Sequence, residues 1–276
     1  MDDTIKKSLK LVIKEQKIRR EIKMSDFETK FTGKADIYDK FRPGYPEEFI
    51  DFLFEVGILS ECDKVADIGC GTGILSEALA KRKRNAIIGV EPNLDMLRMA
   101  RQRLVDYGNC ILVPGMAEKI PLDDHSVSCV TVAQAFHWFD REKFKGECQR
   151  ILKQDGSVVL LWNATDNNSP INIEIANINK KLCEAFDGYS SRSEENVNTY
   201  SMFFRNNECW FKLFKNDLVL RETNFIGRSL SRSYAPNDGD SNYEEYVYQL
   251  KKVYKQYSKN GTITIPNNTR CYYGKM

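Results

Sequence analysis

The chain has 276 residues, 42% of them hydrophobic, with 41 Lys and Arg against 39 Asp and Glu and a net charge of +2. That length suits one large domain, or one domain with a substantial insertion, and so balanced a charge offers no basic stripe for nucleic acid and no patch for a membrane surface. Eight cysteines stand singly at 62, 70, 110, 129, 148, 183, 209 and 271 beside only two histidines, a pattern that argues against a zinc site and reads as the buried free thiols of a cytosolic protein.

Residues 1–23, "MDDTIKKSLKLVIKEQKIRREIK", are basic and free of Gly and Pro, with Ile5, Leu9, Val12, Ile13, Ile18 and Ile22 in an imperfect helical pattern. Two readings fit: a helix for a membrane surface or a partner, and an extension that packs loosely or not at all. Met24 is a second candidate start. The N-terminus lacks an apolar signal core and no run approaches 18 apolar residues, so neither secretion nor a membrane span is expected.

From Lys64 onward apolar strands alternate with helical stretches. "KVADIG" (64–69) predicts a buried strand, "ILSEALAKR" (74–82) a helix with a basic end, "AIIGVE" (86–91) a strand and "LDMLRMARQRL" (94–104) a helix. "CILVPG" (110–115) and "VSCVTVAQ" (127–134) follow as strands. "REKFKGECQRIL" (141–152) is a helix capped by Asp140, and "GSVVLLWN" (156–163) a strand led in by the turn "QDG". Strands separated by helices of this length imply βαβ units and a parallel sheet, and unbroken apolar runs fit strands covered on both faces. Residues 164–212 are polar, with a helical piece at 171–186, and predict an insertion over the sheet edge. The remainder, 213–276, reads as the strand "LFKNDLVLRE", the helix "NYEEYVYQLKKVYKQYS" and the strand "GTITIPNNTRCYYG".

The chemistry concentrates in "VADIGCGTGIL" (65–75), where Gly69, Gly71 and Gly73 follow a strand on alternate positions. In open parallel sheets ligands bind beyond the carboxyl ends of the strands, where strand order reverses. Glycines there permit positive φ and close backbone approach, and a following helix N-terminus favours an anionic group. A dinucleotide site needs G-x-G-x-x-G, whereas here the spacing is G-x-G-x-G and Ile74 stands in the place of the third glycine. Glu91 ends the second strand in "GVEPN", where an acid binds the two hydroxyls of a ribose. A nucleoside cofactor follows, with no demand for a pyrophosphate.

Three stretches, "VADIGCGTG", "GVEPNLDML" and "GMAEKIPLDDHSVSCVTVAQAFHWFD", resemble the class I S-adenosylmethionine-dependent methyltransferases over about residues 26–163. With "KADIYDKFRPGYP", "GRSLSRSYAP" and "TITIPNNTRCYYGK" the resemblance narrows to the methyltransferase type 11 group that includes trans-aconitate methyltransferase. It implies a Rossmann-like, seven-stranded, mostly parallel sheet with helices on both faces. Around it come an N-terminal extension (1–23), a cofactor-binding core with a lid (24–163), a substrate cap (164–212) and C-terminal elements completing the sheet (213–276).

By the same resemblance S-adenosylmethionine contacts Asp67, Gly69, Cys70, Gly71 and Gly73, with Asp67 ordering the loop and bonding the amino group and Cys70 filling the loop. Glu91 clamps the ribose, and Pro92, Asn93 and Met96 lie beside the adenine. Met116, Ala117 and Glu118 flank the adenine edge; relatives often carry Asp where Met116 stands, so Glu118 or the Ala117 N–H is left to read the base. Gln134 and Ala135 line the methionine arm. His137 is either a general base or, with Trp138, part of an apolar wall. Tyr38, Arg42 and Tyr45 belong to the lid, with Arg42 able to pair with a carboxylate, and Arg228, Arg232 and Tyr234 form a second polar cluster for the acceptor. The expected reaction is in-line methyl transfer to a small, acidic molecule, in the cytoplasm, by a monomer or homodimer without a metal. The rivals are a protein that binds S-adenosylmethionine without turnover and a nicotinamide-dependent oxidoreductase, which the glycine spacing disfavours. The charge balance and the lack of an "NPPY"-like stretch count against nucleic acid as the acceptor.

Overall fold

A computed structural model describes residues 42–188, 196–232 and 234–276. The N-terminal extension and Tyr38 lie outside the described residues. Seven strands form one sheet in the order β3-β2-β1-β4-β5-β9-β6: β1 (Lys64–Ile68), β2 (Ala86–Glu91), β3 (Cys110–Pro114), β4 (Val127–Ala133), β5 (Leu152–Thr165), β6 (Trp210–Lys215) and β9 (Asn267–Lys275). A separate two-stranded sheet pairs β7 (Leu218–Leu220) with β8 (Ile263–Ile265). The helices are α1 (Glu47–Glu55), α2 (Ile74–Ala80), α3 (Leu94–Arg103), α4 (Arg141–Ile151), α5 (Pro170–Leu182), α6 (Val197–Ser201), α7 (Glu222–Leu230) and α8 (Tyr243–Tyr257).

The described residues fall into two compact units, one of Gly57–Val158 with Met276 and the other of residues 42–56 with Val159–Lys275. In the first, β1 pairs in parallel with β2 and with β4, and β2 with β3. The chain steps outward from β1 to β3 and returns to the other side of β1 as β4, so strand order reverses between β1 and β4. That reversal opens a crevice past the strand ends. Val65, Ala66 and Ile68 of β1 and Val127, Cys129, Val130 and Val132 of β4 are wholly buried, as unbroken apolar runs require. Helix starts follow their caps. The Asn93 side chain accepts from the N–H groups of Asp95 and Met96, both at 3.0 Å, and Asp140 accepts from Lys143 N–H at 3.3 Å.

In the second unit β6 and β9 pair antiparallel. α1 forms because Phe49, Ile50, Phe52 and Leu53 share a buried helical face behind Pro46, and its aromatic side chains pack edge-on against Phe214 and Tyr273. Two stretches read as single strands are each divided. "LFKNDLVLRE" breaks at Asn216 and Asp217, where the Asn216 N–H donates to Asn267 O at 2.8 Å, and its halves join different sheets. "GTITIPNNTRCYYG" breaks at Pro266, which has no N–H for a ladder. The turn expected at "QDG" is instead a left-handed residue, Asp155 (φ 59°), inside β5.

Candidate functional site

The glycine loop leaves β1 with three left-handed residues, Gly69 (φ 67°), Gly71 (φ 58°) and Gly73 (φ 82°). It hangs from β2. The N–H groups of Gly69 and Cys70 donate to Val90 O at 2.8 and 3.1 Å, and Gly71 N–H donates to Glu91 Oε2 at 2.9 Å. The glycines differ in what surrounds them. A Cβ on Gly69 would sit 2.7 Å from Ala135 Cβ, and one on Gly73 3.2 Å from both Ala100 Cβ and Leu104 Cδ1. One on Gly71 would meet only Met96 Sδ, at 3.8 Å. Gly69 and Gly73 are therefore fixed by packing, and Gly71 presents bare backbone to open space.

Beneath the loop Asp67 is fully buried, and its carboxylate accepts from Ser76 Oγ of α2 at 2.6 Å and Thr131 Oγ1 of β4 at 3.1 Å. Burial pushes its pKa up to about 6 against the pull of those hydroxyls. Asp67 thus ties β1, α2 and β4 together behind the loop. Glu91 is 2% exposed; Oε2 takes the Gly71 N–H and Oε1 the Asn93 N–H at 2.8 Å. The two backbone donors fix the orientation of this carboxylate. Met96 is buried beside Gly71 and Pro92 is half-buried. Thr72 is 1% exposed, and its Oγ1 is a buried acceptor and donor without a hydrogen-bond partner. Burial drives the Cys70 thiol well above its ordinary range, which makes it filler rather than a nucleophile.

The remaining first-unit residues sit on neighbouring strand ends. Met116 bridges to Lys119, Ala117 is buried, and Glu118 Oε1 accepts from Asp140 N–H at 2.9 Å at the start of α4. Past β4, Gln134 is left-handed (φ 60°), a conformation that costs a non-glycine residue energy and marks a constrained turn. Ala135 is buried against Gly69. Phe136 anchors the turn by edge-on contacts to Phe139 and Phe144, while His137 and Trp138 are exposed with ring centroids 4.8 Å apart.

Arg42, Tyr45, Arg228, Arg232 and Tyr234 belong to the second unit. Asn163 and Asn216 hold the segment of Arg42 and Tyr45 by donating to Gly44 O at 3.1 and 3.0 Å. Arg228 lies within α7, a helix that the sequence reading did not predict; Phe225 and Ser229, one turn apart, are its buried face. Arg228, Arg232 and Tyr234 line one cavity. Sequence reasoning missed its deeper wall, Asn172, Asn179 and Tyr246, as it missed Ser76 and Thr131. Among the described residues no group of three His, Cys, Asp or Glu side chains could hold a metal ion, and no helix is long and apolar enough to cross a membrane.

Residues 66–160 match the family model described as a methyltransferase domain. An uncharacterized methyltransferase of Mycobacterium tuberculosis is 37% identical over 141 residues, which cover 51% of this chain and 55% of that protein. The demethylmenaquinone methyltransferase of Thermotoga maritima is 37% identical over 101 residues, 36% of this chain and 43% of that one. The chain spans about half the length (55%) of the first curated relatives it matches. Among solved structures, one described as a candidate Type II methyltransferase from Anaeromyxobacter dehalogenans shares the fold with a TM-score of 0.62 at 18% identity, covering 85% of this chain and 98% of that one. Residues 66–160 are thus similar to a methyltransferase domain, and S-adenosylmethionine is the cofactor such a domain implies.

Proposed function

We propose that this protein transfers a methyl group from S-adenosylmethionine to a small acidic molecule, as the trans-aconitate methyltransferase group does. The observation that carries the reading is Gly71, a left-handed residue with open space at its α-carbon and its N–H on the carboxylate of Glu91. This is a cradle that a nucleoside fits and any side chain would fill. The Glu91 carboxylate, at the end of β2, takes a ribose diol, and Gly71 and Cys70 pass the methionine arm with their backbone. Thr72 Oγ1, buried without a partner, supplies one more polar contact to a group placed in the loop. Asp67, which ionises as pH rises through about 6, sets a negative charge under the loop that complements an ammonium.

When bound, the cofactor supplies an electrophilic methyl on a good leaving group. The protein's task is then to align the acceptor and exclude water. An acceptor carboxylate needs no base, whereas a hydroxyl or carbon acid needs one, and His137 takes that part. Arg42, Arg228 and Arg232 are the guanidiniums that an acidic acceptor requires. The free state of all eight cysteines fits the cytosol, and a monomer or homodimer suffices for a small acceptor.

Calorimetric titration with S-adenosylmethionine and with its demethylated product tests the reading. Micromolar binding is expected, weakened at least about 100-fold in Glu91→Ala, because hydrogen bonds to a charged group are lost. No heat and no thermal shift with either nucleoside overturns it.

A further inference from the structure

The loop that joins β3 to β4 leaves the sheet beside Glu91. Pro114 ends β3 as the register partner of Glu91, and Gly115 N–H donates to Glu91 O at 3.3 Å. The loop then doubles back. Met116 bridges to Lys119, and a Cβ on Gly115 would stand 2.6 Å from Pro121 Cδ and 2.9 Å from Val90 Cγ1, so the returning chain lies against its own start. Helix α4, 11 residues and about 16 Å long, holds this loop at two points. At the helix start, Asp140 N–H donates to Glu118 Oε1 at 2.9 Å. In its last turn, Arg150 engages all five guanidinium N–H groups. Nε donates to Glu147 Oε1 at 2.8 Å, and Nη2 to Glu147 Oε2 at 2.7 Å and Ile120 O at 2.8 Å. Nη1 donates to Leu122 O at 2.7 Å and to Asp124 Oδ1 at 2.8 Å. Glu147 completes the clamp, its Oε2 accepting from Ile120 N–H at 2.6 Å. Both main-chain polar groups of Ile120 are thereby fixed by one side-chain pair, and the guanidinium holds the Glu147 carboxyl below its ordinary range. A lysine cannot reproduce such a fork. The far end of the loop is secured separately, by the N–H groups of His125 and Ser126 on the carbonyls of Arg150 and Ile151. What the clamp adds is the position of the stretch before them.

That stretch includes Met116, Ala117 and Glu118. Met116 offers only a weakly accepting thioether, and one oxygen of Glu118 is taken by Asp140. A base lying on this wall next to Glu91 is therefore met chiefly by main chain, which cannot adjust its reach as a side chain can. We propose that Arg150 and Glu147 are positioning residues for the nucleoside base: their clamp sets the main chain of 116–118 where it tells adenine from hypoxanthine. Adenine presents an acceptor at N1 and a donor at N6, and hypoxanthine reverses both. A fixed main-chain edge that suits the first leaves polar groups unpaired against the second. That a nucleoside lies on this wall rests on the methyl-transfer reading.

The test is calorimetry of the full chain with S-adenosylhomocysteine and with S-inosylhomocysteine, which differ only in the base, well below each variant's thermal transition. The wild type is expected to hold the adenosyl compound at least about tenfold more tightly. In Arg150→Lys, which keeps the charge and loses the fork, that ratio should fall below about threefold, while the inosyl affinity stays within about threefold of the wild type. Glu147→Gln, which keeps the size and loses the charge, should lower the ratio too, and it carries the test if Arg150→Lys does not fold. Cys148→Ala loosens the buried face of the same helix without touching the clamp and should leave the ratio unchanged. A role in stability alone would weaken both nucleosides in step. An equal loss for both in Arg150→Lys, a ratio that persists in the clamp variants, or one that falls as far in Cys148→Ala overturns the proposal. A wild type that binds both nucleosides equally defeats this inference and leaves the methyl-transfer reading standing. No binding of either defeats that reading, and the inference with it.

Discussion

In the Gly57–Val158 unit the candidate site is held by backbone. Glycines adopt left-handed conformations, main-chain N–H groups meet Val90 O and the Glu91 carboxylate, and side chains chiefly wall the loop in. In the Val159–Lys275 unit the polar recess is held by side chains: Tyr246 to Asn179, Asn179 to Tyr234, Asn172 to two carbonyls. A backbone-built site depends on conformation and fails when a Cβ is added. A side-chain-built site depends on every partner being present and fails when one polar atom is removed.

That contrast sets an order of effects. The largest is expected for Gly69→Ala, which combines a left-handed alanine with a 2.7 Å clash against Ala135 Cβ. About 4 kcal/mol of stability should be lost, read by chemical denaturation. A loss below about 1 kcal/mol would mean that the loop relaxes and that packing does not fix it.

Asp67 follows. Its folded pKa of about 6 lies above the ordinary 3.8, so the folded protein holds the proton more tightly than the unfolded chain. The stabilisation this gives is fully present below about pH 4 and is lost as pH rises through 6. Compared with Asp67→Asn, which carries no charge at any pH, the wild type should lose stability on the order of 3 kcal/mol between pH 4 and 7. A difference that stays flat with pH would show the carboxylate to be less desolvated than its burial implies.

In the other unit Tyr246→Phe should cost about 2 kcal/mol, since Asn179 Oδ1 is left buried and unpaired. Gly71→Ala sharpens the comparison within the loop itself. It shares the left-handed strain but meets only a sulfur at 3.8 Å, so it should cost about 1–2 kcal/mol of stability while abolishing nucleoside binding in calorimetry. The smallest effect belongs to Lys143→Ala, which breaks the exposed pair with Asp140 and should leave the thermal transition unmoved.

The same contrast explains what the sequence made legible. Strands β1 to β4, helices α2 to α4 and the loop glycines are written in local periodicity and in spacing over eleven residues, 65–75, so each can be read within one window. Asp140 as the cap of α4 was equally local. The division of two expected strands was legible only in hindsight, from Pro266 and from the Asn216–Asp217 pair inside an otherwise apolar run. The recess was not legible. Asn172 answers to Pro266, 94 positions away, and Asn179 to Tyr246, 67 positions away, and nothing near Asn172 in sequence distinguishes it from the other asparagines of "INIEIANINKK". Ser76 and Thr131 were hidden likewise: a hydroxyl in a helix and one in a strand gain meaning only once Asp67 lies between them.

The position of β9 bears on how the molecule is made. This strand, Asn267–Lys275, lies between β5 and β6 in the sheet, and Thr269 reaches Asn163 across 106 positions at 2.6 Å. A ribosome emitting about 5–20 residues per second finishes β5 and β6 well before the strand that must enter between them has left the tunnel. Until it does, β6 has no neighbour on that side, and its Trp210, Phe211 and Leu213, each at least 38% exposed even in the finished fold, stay open to solvent and to other nascent chains. The second unit is therefore the part of this protein that a chaperone would have to hold, and its yield on overexpression should rise when translation is slowed or a holdase is supplied.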